Sequence, residues 1–271
     1  MYNKEEEKSL RWLSNVLDII RKECPWDRVQ TTDSLRYLTI EEVYELSDAI
    51  ISRQYEEERK ELGDIFMHLL FYSKLAEDEG LFSTREVIDG ICKKLISRHP
   101  HIALPDREGV VKEVESSSRP KWEEVKMKEG RKSVLEGVPA SLPTLVKTIR
   151  LQEKTSGVGF EFPNCGAAFE KVKEEQRELH EALDECLAMP ESVEARGHAE
   201  EEFGDLLFAL IKWGRMLGIN ADDALARTNR KFEERFKYVE ECAIGTGRRV
   251  SDLSVEEMTT YWNEAKKSGN F

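Results

Sequence analysis

Several signals are missing from this chain of 271 residues, and each absence narrows what it can be. No stretch of any length carries a β-strand pattern, which points to an all-α protein. The five cysteines (Cys24, Cys92, Cys165, Cys186 and Cys242) are scattered, odd in number and never spaced Cys-x-x-Cys. That usage points to a reducing, cytosolic compartment. The opening Met1-Tyr-Asn-Lys-Glu-Glu-Glu-Lys8 has no apolar signal core, and no apolar run is long enough to span a bilayer. A cytoplasmic protein without a membrane partner is therefore expected. No Gly-x-x-x-x-Gly-Lys loop occurs, so any phosphate binding must work through metal and side chains. Basic excess is lacking too: 41 Lys and Arg stand against 54 Asp and Glu, a formal charge of −13. This argues against nucleic acid or anionic lipid held by a general basic field. A phosphate ligand stays possible, because cations in an acidic pocket reverse the local sign.

What the chain does have is charge and helical periodicity. Charged residues make up 35% of it, yet 39% hydrophobic residues leave enough apolar surface for a real core. Apolar stripes at helical spacing predict helices over 10–20, 34–51, 56–75 and 84–97, then 142–154, 167–188, 194–217, 221–241 and 255–267. Cys24-Pro25-Trp26-Asp27 reads as a capping loop between the first two, since proline cannot continue a helix. A short helical piece with Trp122 and Lys126 follows a polar, exposed connection over 106–119 that contains Ser116-Ser117-Ser118. Gly137, Pro139 and Pro143 mark an interdomain linker. The division expected is an N-terminal domain over 1–130, a linker over 131–145 and a C-terminal domain over 146–271.

The main inference from spacing is a duplicated acidic helix pair. Glu174, Glu175 and Glu178 occupy i, i+1 and i+4 of one predicted helix, and Glu202 and Asp205 occupy i and i+3 of the next. The 23 residues between Glu178 and Glu202 suffice to finish one helix, turn and start an antiparallel one. Glu41, Glu42 and Glu45, followed by Glu61 and Asp64, repeat the pattern in the first half. Carboxylates gathered from two helices repel, and the repulsion is tolerable only with a cation among them or with some protonated. Oxygen donors alone suit hard cations such as Mg²⁺ or Mn²⁺. A di-iron bundle would use Glu-x-x-His, and the fourth position here is Asp64 or Asp205. His68 lies one turn beyond Asp64, but Ala209 occupies the matching place in the second half, so His68 is expected to be a core or interface histidine.

Each half then offers a Lys/Arg pair, Lys94 with Arg98 and Lys231 with Arg235, and next a tryptophan, Trp122 or Trp262. Lys231 and Arg235 are either ordinary surface charges or, beside cation-binding acids, holders of an anion. Trp262 is either plain core or a platform for a nucleobase. The segment Ile65–Tyr72 is apolar all round, so it must be covered on more than one side, by another domain or another subunit.

Taken in order, these motifs resemble the all-α nucleoside triphosphate pyrophosphohydrolases, and the two-domain layout resembles the MazG family. The residues carrying the likeness are Cys24-Pro-Trp-Asp27, Leu38-Thr-Ile-Glu-Glu42, Glu61-Leu-Gly-Asp64, Arg98-His-Pro-His101, Ser141-Leu-Pro143, Val158-Gly-Phe160 and Lys231-Phe-Glu-x-Arg235-Phe. The resemblance implies two tandem MazG-like helical bundles that form a homodimer. It implies Mg²⁺-dependent hydrolysis of nucleoside triphosphates to monophosphate and pyrophosphate, as broad-specificity house-cleaning of the nucleotide pool. It places metal on Glu174, Glu175, Glu178, Glu202 and Asp205 with Glu201 nearby, and makes Glu175, Glu178, Glu202 and Asp205 the catalytic acids. It places the nucleotide near Lys171, Lys231, Arg235 and Trp262.

The chain departs from the family pattern at His198, where relatives of this type carry a lysine. In the first half, Leu38 and Lys60 occupy the places of Lys171 and Glu201. The C-terminal half is therefore expected to be the active one, with Glu41, Glu42, Glu45, Glu61 and Asp64 as an N-terminal candidate metal set. The alternative reading is a helical dimer that senses nucleotides or docks a partner without hydrolysis.

Overall fold

The computed structural model describes residues 4–111 and 132–268. Within them every regular element is helical, and the nearest approach to a strand is an isolated bridge between Pro105 and Val111. The expected short helix around Trp122 and Lys126, and the Ser116–Ser118 connection, lie outside the described residues. The chain divides into two compact units, Met1–Pro120 and Lys121–Phe271.

In the first unit the helices are α1 (Lys4–Glu23), α2 (Pro25–Arg28), α3 (Thr32–Ser52), α4 (Tyr55–Asp78) and α5 (Thr84–Arg98). The Cys24-Pro-Trp-Asp27 stretch, expected as a loop, forms the single turn α2, with Pro25 at its start. Proline there loses nothing, because the first N–H of a helix has no internal partner and the ring presets φ. Reciprocal hydrogen bonds between Thr31 and Ser34 begin α3, and the same arrangement between Ser83 and Glu86 begins α5. The core joins α1, α3 and α4 through Leu17, Leu35, Phe71 and Leu75, with Leu38 and Met67 packed against them. One face of α4 is thereby covered, and Phe66 and Leu69 on another face remain more than half exposed.

In the second unit the helices are α6 (Thr144–Gly157), α7 (Cys165–Ala188), α8 (Val193–Met216), α9 (Ala221–Gly245) and α10 (Val255–Ser268), with a 3₁₀ turn at Val250–Asp252. Asn164 caps α7 by accepting the Ala167 N–H at 2.9 Å, and Ser192 caps α8 by accepting that of Ala195 at 3.1 Å. Buried Ala168, Ala182, Ala195, Ala199 and Ala209 lie along α7 and α8, and such small residues let two backbones approach closely. A satellite core of Val239, Ala243 and Leu253, flanked by Trp262, joins α9 to α10. Part of the expected linker is packed against this unit: buried Lys154 donates to the Val134 and Glu136 carbonyls at 2.9 and 3.1 Å.

Candidate functional site

The α7–α8 hairpin carries six of the expected acids. Glu174, Glu175 and Glu178 are on α7, and Glu201, Glu202 and Asp205 are on α8. Glu175, Glu178 and Glu202 each bring a carboxylate oxygen within 4.8 Å of the other two. Glu175 is only 6% exposed, which an unpaired carboxylate would not tolerate. Its partner is Lys171, one turn earlier, whose ammonium lies 2.8 Å from Glu175 and 2.7 Å from Glu174. These two contacts hold the Lys171 ammonium well above its usual pKa, and the same lysine pulls the Glu174 carboxyl below the usual range.

Glu178 is pushed the other way. Burial comes first, then the charges of Glu175, Glu174 and Glu202, against which Lys171 is an incomplete offset. His198 reaches Glu202 at 3.4 Å from Nε2 and Glu185 at 3.3 Å from Nδ1. Glu201 is exposed and stands outside the close trio. An all-oxygen donor set whose repulsion at Glu178 is only partly offset fits a hard divalent cation.

Asp205, with Lys171 and Glu175, lines a cavity of about 400 Å³ whose remaining wall is mainly apolar and includes Phe160, Phe162 and Phe208. Beside this cavity's Lys212, Glu161 holds the lysine at 2.6 Å and also pairs with Arg215. Burial alone would raise the Glu161 carboxyl, but hydrogen bonds from Lys212, Ser156 and Arg215 outweigh it and bring the pKa to about 2.

In the first unit, Glu42, Glu45 and Glu61 converge in the same way, within 4.8 Å of one another. Burial and then Asp64, Glu45 and Glu61 push Glu42 up, and Glu61 ahead of burial pushes Glu45 up. Leu38 stands at the place of Lys171, and Lys60 bonds Glu57 at 2.7 Å instead. His68 is buried at 4% exposure, with its pKa lowered by burial, as a core residue would be.

Lys231 and Arg235 lie on α9, and Trp262 lies on α10. The Arg235 guanidinium lies 5.7 Å from the Trp262 ring centre, and Phe232 packs on the same ring at 5.0 Å. Among the described residues, the ion pairs of the acidic cluster come from Lys171, Arg177 and His198, with none from Lys231 or Arg235.

A family model described as the MazG nucleotide pyrophosphohydrolase domain matches residues 30–103 and again 167–240. The chain belongs to this family. The two matched segments take in α3 to α5 and α7 to α9, so the MazG domain occurs in tandem and each copy carries its acidic pair on its first two helices. A nucleoside triphosphate pyrophosphohydrolase of Escherichia coli strain K12 is 34% identical over 250 residues, covering 90% of each chain. A Thermotoga maritima protein named nucleoside triphosphate pyrophosphohydrolase/pyrophosphatase MazG is 37% identical over 246 residues, 90% of this chain and 89% of its own. The uncharacterized protein YabN of Bacillus subtilis is 37% identical over 273 residues, 98% of this chain and 54% of its own.

Helix spacing alone did not single out Gln152, Phe162, Phe208 or Lys212 around the cavity, or Glu161, which holds Lys212. Gln152 and Phe208 sit in ordinary amphipathic helices, where one position does not announce a cavity wall. The residues of its wall that the sequence did single out are Lys171, Glu175 and Asp205, with Phe160 of the Val158-Gly-Phe160 motif.

Proposed function

We propose that the chain hydrolyses nucleoside triphosphates to monophosphate and pyrophosphate with Mg²⁺, mainly in its C-terminal MazG domain. The observation that carries this reading is the joining of the Lys171–Glu175–Glu178–Glu202 cluster to a cavity through Lys171 and Glu175, with Asp205 on the same wall. The names of the Escherichia coli and Thermotoga maritima relatives support the reaction class.

Glu175, Glu178, Glu202 and Asp205, with Glu174 at the edge, would hold the cation; Mn²⁺ would fit the same oxygens. When bound, such a cation neutralises phosphate oxygens and the charge of the leaving pyrophosphate. Lys171 fixes the Glu174 and Glu175 carboxylates and offers its ammonium to the phosphate chain. One carboxylate oxygen of the cluster takes a proton from the attacking water. Lys231 and Arg235 would offer their charges to the phosphates, and the homodimer would bring in a second copy of the chain. Exposed Phe203, Leu207 and Phe208 on α8, and a shallow groove including Leu179, Leu183 and Leu206, offer that copy an apolar seat.

The test compares the two halves. Glu178→Ala or Asp205→Ala should lower turnover by at least about a hundredfold with helicity intact, the scale of losing one preorganised charge contact. Glu45→Ala or Asp64→Ala should leave most of the turnover. Equal losses from both halves would sink the C-terminal assignment, and retained turnover in Asp205→Ala would sink the site itself.

A further inference from the structure

A buried ammonium ties the chain ahead of α6 to the cavity beside the acidic cluster. Lys154, on α6, is 3% exposed, and its Nζ donates to the Val134 carbonyl at 2.9 Å and to that of Glu136 at 3.1 Å. An ammonium taken out of water needs acceptors that replace its hydration, and charged donors make the stronger hydrogen bonds. Here the acceptors are backbone carbonyls on alternate residues, so Lys154 holds the course of the chain itself. Leu135, the residue between those carbonyls, lines the cavity together with Lys171, Glu175 and Asp205.

The segment is shaped to keep that course. The Glu136 N–H donates to the Ser133 carbonyl at 3.1 Å, and the Val138 N–H donates to that of Leu135 at 3.3 Å, which closes two overlapping turns. Gly137 has a φ of 79°, a conformation that glycine adopts without strain. The Glu136 carboxylate accepts the Lys132 N–H at 2.9 Å, and Ser133 Oγ accepts that of Leu135 at 3.2 Å. Leu135 itself is 43% exposed, so its own burial adds little to the hold. The turn is a strap fastened at Lys154, with a leucine laid along the cavity.

Lys154 and the strap lie outside the segment 167–240 matched by the MazG domain. By the register of the repeat, Leu38 and Phe71 stand in the first unit at the places of Lys171 and Lys212. Both belong to its packed core, which occupies the place that the cavity takes in the second unit.

We propose that the chain between the two MazG segments is a wall of the C-terminal site, with Lys154 as its positioning residue and Leu135 as its cover. The proposal rests on the nucleotide reading above. With the strap seated, Leu135 keeps water from the apolar side of the cavity, next to carboxylates whose hold on a cation and phosphates weakens as water enters.

The experiment is hydrogen exchange of the full chain, read on the peptide 132–139, with and without Mg²⁺ and the α,β-methylene analogue of ATP, beside steady-state kinetics with ATP. The analogue should slow exchange of the Glu136 and Val138 amides by about tenfold in the parent, because an occupant that touches Leu135 holds the strap down. Lys154→Met, which keeps the length without the ammonium, should speed their exchange by about tenfold or more while the α7–α8 hairpin stays protected. Leu135→Ala removes no core residue and should raise KM about fivefold with kcat held within about twofold, the pattern of lost binding and not of lost chemistry. Lys154→Met should raise KM at least as far, and the double variant no further, because both act through one wall. Exchange indifferent to Lys154→Met, no protection by the analogue, an unchanged KM in Leu135→Ala, or additive KM effects would overturn the proposal. Where Lys154→Met unfolds the hairpin, Leu135→Ala and the protection by the analogue decide. Protection without hydrolysis would defeat the proposed reaction and leave the wall standing. Hydrolysis without protection would do the reverse.

Discussion

At the scale of single residues, the acids and their one lysine decide the chemistry. Glu178, Glu42 and Glu45 all sit above the usual carboxylate range, through burial and neighbouring acids in different order. Glu161 behaves oppositely, and the contrast is testable. Its folded pKa of about 2 lies below its usual 4.5, so its stabilisation is complete above 4.5 and is lost as pH falls toward 2. Glu161→Gln should cost about 2 kcal/mol at pH 7, a figure reduced for the water around this carboxylate. In urea unfolding the difference from the parent should shrink as pH drops from 4.5 toward 2, and a constant difference would show that packing, not charge, was lost. The acids were legible in the sequence because i, i+3 and i+4 spacing fixes a helix face. Glu161 and Gln152 were not, because their importance comes from Lys212, Arg215 and Phe208, more than fifty residues away in the chain.

At the scale of elements, the α7–α8 hairpin positions the cluster, and alanines run along both of its helices. Ala182 is 1% exposed, so Ala182→Leu should overpack it, at a cost of about 1–3 kcal/mol. Lower thermal stability together with reduced turnover would be the expected pair of results; an unchanged melting temperature would show that the hairpin has slack there. The helices themselves were largely readable from periodicity, and their ends were less so. Helix α7 starts at Cys165 rather than 167 because Asn164 caps it, and α9 continues to Gly245 because Ala243 is buried against the Leu253 turn. The turn at Pro25 was misread as a loop, since proline forbids helix behind it but favours helix ahead of it.

At the scale of the whole molecule, the tandem MazG domains share a fold and differ in what surrounds their acids. The repeat was visible because both copies keep the acidic spacing. That the copies differ in a cavity was only hinted at, by Leu38 standing where Lys171 does. Among the described residues no helix is long and apolar enough to cross a membrane. The proposed homodimer would cover the half-exposed apolar residues of α4 and α8. Light scattering should give twice the chain mass, and Leu207→Glu should halve it while helicity persists; a wild-type mass of one chain would contradict the dimer.

The central claim is tested most directly by identifying products after incubation with a panel of nucleoside triphosphates, with Mg²⁺ and with chelator. Monophosphate and pyrophosphate, formed only with Mg²⁺, are the expected result. Orthophosphate and diphosphate, or turnover indifferent to the chelator, would contradict the account.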